Sequence, residues 1–386
     1  MSTVSIIKCK SYDEEKVYQS IDKSIRLIGG IDDIIKPEDK VLLKINLLSA
    51  RPPEEAVTTH PAVIGAVIRL IRERGAVPWV GDAAPLVSGF TRREKDAFDI
   101  CGIRKTVEKE GGKIVNFSRT GYSKIKIKEA EQLKEINIAK PILQADAIIS
   151  LPKLKTHELT LLTGAVKNFF GCVPSSDRSK AHRLANEGKF AQAVVDIYSV
   201  CKPCLAVMDG ISAMEGEGPS AGDPISLGLI LASRDCVSLD VVASQITGFK
   251  PSEILTSVDA IQRGLGPENL QKIKVVGEEI KNVSRLNFKK PVAYKNFSFR
   301  ILRRLLTPLG TKILASYPHL RKERCNKCGI CAQKCPVGAI QLNPYPGVNY
   351  TRCIQCYVCH EFCPQEAISI KTGWLGQQWE KLTSRS

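Results

Sequence analysis

Over residues 1–284, short apolar runs alternate with segments whose apolar positions return every three or four residues. The runs predict strands at Val4–Lys8, Val41–Ile45, Trp79–Asp82, Lys113–Phe117, Ala147–Leu151, Leu205–Met208, Leu227–Ala232 and Ile273–Val276. The longer spacing predicts helices at Glu14–Ile28, Pro61–Arg74, Arg92–Lys109, Leu159–Phe170, Phe190–Val200, Val237–Ile246 and Glu253–Arg263. Gly29 and Gly30 close the first helix, and Thr59 is the expected cap of the second, with Pro61 in its first turn. Strands and helices that take turns along a chain give an α/β fold, a mostly parallel sheet with helices on both faces.

In such a sheet, ligand-binding groups gather where the strands end at their carboxyl side. Asn46 and Asp82 fall there, as do Lys153, Lys155, Thr156 and His157 after Leu151, and Asp209 with Glu215 after Met208. Lys153, Lys155 and His157, with Lys167 down the next helix, suggest an anion pocket at that helix's N-terminus. Thr163, Gly164 and Asn168 would allow close backbone approach; a solvated loop before an ordinary helix explains the same spacing. The acidic, glycine-rich stretch Asp209–Asp223 could hold Mg²⁺ or supply an acid/base partner to Lys155 or His157. For Glu217 and Asp223 solvated turn residues are the simpler reading. The candidate catalytic pocket is therefore Lys153, Lys155, His157, Lys167, Asn168, Asp209 and Glu215. Neither a phosphate-binding G-x-x-x-x-G-K-[ST] nor a strand-linked G-x-G-x-x-G is present. Cys201 and Cys204 have the spacing of a redox pair, but their place at the entry to an apolar strand favours buried thiols.

Composition changes the picture beyond residue 284. The formal net charge is +16, and Arg285–Arg324 holds eleven Lys or Arg against one acid, Glu323. Residues 285–322 read as a basic connector in which Phe297, Phe299, Ile301, Leu302, Leu305 and Leu306 interleave with Arg300, Arg303 and Arg304. A helix of that kind suits peripheral contact with an anionic membrane surface or packing between two domains. Acidic proteins and anionic small molecules are the expected partners, and nucleic acid is not. No apolar stretch reaches the ~18–20 residues that would span a bilayer, and Met1–Lys10 lacks an export signal. Scattered cysteines at 9, 101, 172, 201, 204 and 236 argue for reduced thiols, hence a cytoplasmic setting.

Eight further cysteines fall in two copies of C-x-x-C-x-x-C-x-x-x-C-P: Cys325, Cys328, Cys331, Cys335 with Pro336, and Cys353, Cys356, Cys359, Cys363 with Pro364. Three cysteines at steps of three wrap one [4Fe–4S] cube, while the fourth has moved on and serves the other cube. One cluster is thus assigned to Cys325, Cys328, Cys331 and Cys363, the second to Cys353, Cys356, Cys359 and Cys335. Paired C-x-x-C units also build zinc sites, but the doubled register and the two prolines argue against that. Val337, Ala339 and Ile340 after the first run are answered by Ala367, Ile368 and Ile370 after the second. Residues 323–372 closely resemble the two-cluster bacterial ferredoxins, a small α+β fold, and leave a tail at 373–386.

The whole chain resembles the domain of unknown function 362 family, fused to such a ferredoxin domain. The resemblance rests on Lys44-Ile-Asn46, Val57-Thr-Thr-His60-Pro61, Gly81-Asp82, Leu151-Pro-Lys-Leu-Lys-Thr-His157, Thr163-Gly-Ala-Val-Lys-Asn168 with Phe170-Gly171, Asp209-Gly-Ile with Met214-Glu-Gly, and the cysteine runs. It implies an iron–sulfur electron carrier of an anaerobic setting, with protein redox donors and acceptors, and brings no settled reaction. Two other functions remain open: a redox enzyme acting on a carboxylate- or phosphate-bearing substrate at Lys153, Lys155 and His157, and a non-enzymatic binding or maturation module.

Overall fold

A computed structural model describes residues 2–83, 97–184, 186–292, 294 and 316–372. Its main sheet orders the strands Ile273–Gly277, Ser2–Lys8, Asp223–Ser233, Leu205–Glu215, Ala147–Leu151, Lys40–Ile45, Val77–Asp82 and Lys113–Asn116. Of these only Asp223–Ser233 runs against its neighbours. Side chains alternate across the pleat, so one strand feeds two cores. Leu42 and Ile148 pack on one face with Val166, Phe169, Val194 and Leu239, while Val41, Leu43 and Ile149 pack on the other with Val17, Ile21, Val63 and Ile68. The protein is α/β, with a mostly parallel sheet covered on both faces.

Several elements differ from the periodic pattern, each for a local reason. The second helix, Pro61–Arg72, is capped by the His60 imidazole, whose Nδ1 accepts from the Ala62 amide at 3.1 Å. Thr59 instead joins two strand ends: its hydroxyl accepts from Asn46 and donates to the Leu151 carbonyl at 2.6 Å. In Arg92–Lys109 the described part is two short helices, Ala97–Ile100 and Ile103–Lys109, divided at Gly102, whose φ is +70°.

The helix expected over Leu159–Phe170 shrinks to Gly164–Asn168 and a following tight turn, because Lys153–His157 is not a loop. It forms a strand beyond Pro152, paired with the outer half of Leu205–Glu215. That partner continues into the acidic stretch as far as Glu215, with a bulge between Gly210 and Ser212, and residues 216–222 turn the chain back into Asp223–Ser233.

Cys201 and Cys204 donate separately to the Ile197 and Ile148 carbonyls, and burial pushes both thiols up, so they read as buried thiols. The amphipathic part of the connector and the tail from residue 373 lie outside the described residues.

The cysteine-rich unit is a small α+β fold. Ser316–Leu320 pairs antiparallel with Ile368–Thr372, and Ile340–Leu342 pairs with Pro346–Val348. This unit therefore takes in residues just upstream of 323. Ile340, Ala367 and Ile368 form its core together with Cys331, Cys359 and Cys363.

Candidate functional site

The carboxyl ends of the central strands meet as a buried polar floor. Lys44 leaves its strand and donates to Asp82 at 2.8 Å and to the Ile45 carbonyl at 2.6 Å. Asn168 ties this corner together, donating to the Lys44 carbonyl and the Ser150 hydroxyl. Gly171 lets the backbone pass over the pair, since a Cβ there would collide with the Asp82 carboxylate.

A second group surrounds Asp209. It accepts from Tyr12 Oη and Lys153 Nζ, both at 2.8 Å, and from the His60 amide at 3.0 Å. Tyr12 also accepts from Lys153 at 2.8 Å and stacks on the His60 ring at 3.5 Å. Burial, then the Asp209 charge, raises the Tyr12 phenol, so it stays protonated. Burial pulls the Lys153 ammonium down against the attraction of Asp209.

The remaining lysines are differently placed. Lys155 is fully buried, donates to the Val57 carbonyl at 2.6 Å, and joins no ion pair among the described residues. Burial and then Lys167 push its pKa well below the ordinary lysine value. Lys167 lies over the Phe170 ring, and burial lowers its pKa to about 8 against the pull of Glu361.

The helix N-terminus expected to bind an anion is already occupied from within. Asp240 accepts from the Ala165 amide at 2.5 Å and the Val166 amide at 3.0 Å. Gly164, at φ +65°, is required because a side chain would strike that carboxylate. Burial brings the Asp240 pKa up to about 7.

The Mg²⁺ expectation for the acidic stretch also meets a correction. Asp209 is committed to Lys153, Glu215 accepts from the Lys289 amide at 2.9 Å, and Asp223 pairs with Lys289 Nζ at 2.8 Å. These carboxylates face cations and amides rather than one another.

His157 is fully buried, and its Nδ1 accepts from the Leu159 amide at 3.0 Å, so the neutral ring carries its proton on Nε2. That nitrogen faces Glu361 Oε1 at 2.9 Å. Glu361 belongs to the cysteine-rich unit, in the Cys359–Cys363 interval, and enters the α/β domain beside His157, within electrostatic reach of Lys155, Lys167 and His182. Burial works to raise its pKa, but His157, then Lys167 and His182, hold it below the usual carboxylate range.

Other contacts fasten the two units around this carboxylate. Ser220 donates to the Glu361 carbonyl, and His360 Nε2 meets the Glu217 carbonyl at 3.1 Å. Arg51 pairs with Glu366 at 2.5 Å and reaches the Cys363 and Pro364 carbonyls, while Arg183 reaches the Pro336 carbonyl. Each Cys-Pro corner is thus held by one arginine of the large domain.

Burial lowers His60, His157 and His182 from 6.5 to about 4 each. Between those values the unfolded chain takes up protons that the folded chain refuses, so this stability is complete above pH 6.5 and is lost as pH falls toward 4. Each histidine adds up to about 1.4 kcal/mol per pH unit in that window. In His182→Phe, which keeps the ring beside Phe170 and Phe190, the pH slope of the urea midpoint should shrink by about a third of the histidine share. An unchanged slope would contradict the neutral state of His182.

The cysteines ring two hollows. One is lined by Cys325, Cys328, Cys331 and Cys363, the other by Cys335, Cys353, Cys356 and Cys359. Among the described residues no three His, Cys, Asp or Glu side chains are grouped to hold a single metal ion; four thiols around each hollow are the donor set that a [4Fe–4S] cube takes. The two crossing cysteines are treated alike: Cys335 accepts from the Ala339 amide and Cys363 from the Ala367 amide, both at 3.2 Å. Such N–H···S bonds tune a cluster's potential. Arg352 donates to the Val337 carbonyl, and Lys327 and Lys334 lie over Tyr345 and Phe362.

Fold and site together define an α/β protein joined to a domain for two [4Fe–4S] clusters. The domain of unknown function DUF362 matches residues 41–245, more than half of the chain, and a 4Fe-4S binding domain matches 318–341 and 346–369. The chain belongs to the DUF362 family and carries a two-cluster [4Fe–4S] domain. It is similar to the thylakoid-associated protein sll1697 of Synechocystis sp., 32% identical over 269 residues, 69% of this chain and 81% of that protein. Among solved structures it is similar to the lactate racemase apoprotein from Thermoanaerobacterium thermosaccharolyticum, with 11% identity and a TM-score of 0.39 over 66% of this chain. The chain spans 58% of the racemase chain, and likeness at that level carries no argument about activity. No helix among the described residues is long and apolar enough to cross a membrane.

Sequence reasoning missed Glu361, Tyr12, His182, Asp240 and both arginines. A signal for Glu361 did exist. The two runs repeat their cysteines, but Ala332-Gln333-Lys334 in the first becomes His360-Glu361-Phe362 in the second, and both His360 and Glu361 are buried.

Proposed function

We propose that the chain is an iron–sulfur electron-transfer protein. One cluster is held by Cys325, Cys328, Cys331 and Cys363, the other by Cys353, Cys356, Cys359 and Cys335, and single electrons pass to an acceptor on the α/β domain or on a partner protein. The observation that carries this reading is the pair of hollows, each lined by four cysteines drawn from both runs. Bound clusters supply one-electron chemistry, and this chain's residues set the conditions for it. Ala339 and Ala367 donate to sulfur, and Lys327, Lys334 and Arg352 place positive charge nearby, which favours the more negative reduced state.

The partners are redox proteins with acidic faces, since residues 285–324 carry an excess of ten positive charges, from eleven Lys or Arg and one acid. The free thiols outside the cluster runs fit a reducing, cytoplasmic setting, compatible with peripheral membrane contact.

A second reading, a redox enzyme, is favoured by the buried Lys155 and His157 and the half-buried Lys167, whose charges act on one carboxylate.

The test is anaerobic. Reduced protein should give the EPR signal of [4Fe–4S] clusters, and association with an acidic electron-transfer protein should weaken at least about tenfold from low to high ionic strength. A silent spectrum after dithionite would overturn the reading. Binding indifferent to salt would remove the acidic partner.

A further inference from the structure

Lys155, His157, Lys167 and His182 are all supplied by the α/β domain, yet the carboxylate among them comes from the cluster domain. Its donors are incompletely used. Lys155 donates to a single carbonyl, the buried His182 Nδ1 has no hydrogen-bond partner, and the His157 to Glu361 contact is too bent for a well-formed hydrogen bond. Glu361 is tethered between Cys359 and Cys363, one cysteine of each hollow, so it reaches the group without freedom to satisfy it. Lys167, whose pKa stays at about 8, brings positive charge to donors that are otherwise neutral or depressed, and an untethered carboxylate would align better with them than Glu361 does.

We propose that this pocket is a binding site for a small carboxylate-bearing ligand, with Glu361 its resident occupant while the two domains are closed. The inference rests on the electron-transfer reading only in placing the acceptor on the α/β domain. A carboxylate is the class because the pocket already accepts a planar, singly charged group of that shape. Entry requires the cluster domain to lift, which gives up the Arg51–Glu366 pair, the Ser220 bond to the Glu361 carbonyl and the longer Arg183 contact of 3.5 Å. In the closed state Glu361 competes with the ligand, so apparent affinity falls by the fraction of molecules that are open.

The experiment uses the full, cluster-loaded chain under anaerobic conditions, with acetate, acetamide and inorganic phosphate as calorimetric probes. Glu361→Ala should bind acetate saturably, at least about tenfold more tightly than the unsubstituted chain, and should ignore acetamide. Adding Lys155→Met should weaken that binding by about tenfold. In the unsubstituted chain acetate should speed amide exchange over residues 359–363, as the carboxylate is displaced.

Should Glu361→Ala lose its clusters, the isosteric Glu361→Gln carries the same test. No saturable acetate binding in a variant that retains its EPR signals, equal affinity with and without Glu361, or phosphate bound in place of acetate would each overturn the proposal. Electron transfer is read separately by cluster reduction, so a carboxylate site can fail while the clusters still reduce, and the reverse.

Discussion

Cys331→Ala is expected to reduce the iron of anaerobically isolated protein from about eight atoms per chain to about four or fewer. Cys331 lines the first hollow with Cys325, Cys328 and Cys363. It also packs in a single small core with Cys359 and Cys363, which serve different hollows. Losing one sulfur therefore removes a ligand and loosens the wall that both clusters share. The second cluster should bind less firmly even though its own four cysteines are intact. Combined iron and sulfide analysis decides the matter: about eight irons retained would contradict the ligand assignment.

Asp209→Ala should destabilise the α/β domain by roughly 3–5 kcal/mol, the usual cost of breaking a buried ion pair from one side. Asp209 and Lys153 are both fully buried. Removing the carboxylate leaves the Lys153 ammonium without its counter-charge and takes an acceptor from Tyr12 and from the His60 amide. Because the penalty comes mainly from the stranded charge, adding Lys153→Met should restore part of the loss. Urea unfolding provides the measurement, with midpoints compared at an unchanged denaturant slope. A loss below about 1 kcal/mol would show that water reaches Lys153.

The architecture was legible because burial on both faces of a parallel sheet demands largely apolar strands, and Val41–Ile45 and Ala147–Leu151 are such runs, each broken only near its carboxyl end, by Lys44 and Ser150. The paired cysteine registers were legible for a different reason: cube ligation fixes spacing along the chain. Lys153–His157 was not, because two lysines, a threonine and a histidine look like solvated loop residues. Their burial depends on partners far along the chain, among them Asp209, Tyr12 and Glu361. The acidic stretch after Met208 was legible only in part: Gly216, Gly218 and Gly222 do lie in a turn, but Gly210 serves a bulge in a strand that continues to Glu215. Asp240, the one charged residue of the helix Cys236–Ile246, is explained only by the two amides 75 and 74 residues earlier that it caps.

The paired arginine clasp gives the cluster domain a front and a back. Arg51 and Arg183 grip the two Cys-Pro corners, turning Glu361 inward, while Cys328 is exposed on the outer side. Among the eight cysteines that line the hollows Cys328 alone is exposed, so a carrier arriving from solvent would meet the first hollow at that sulfur.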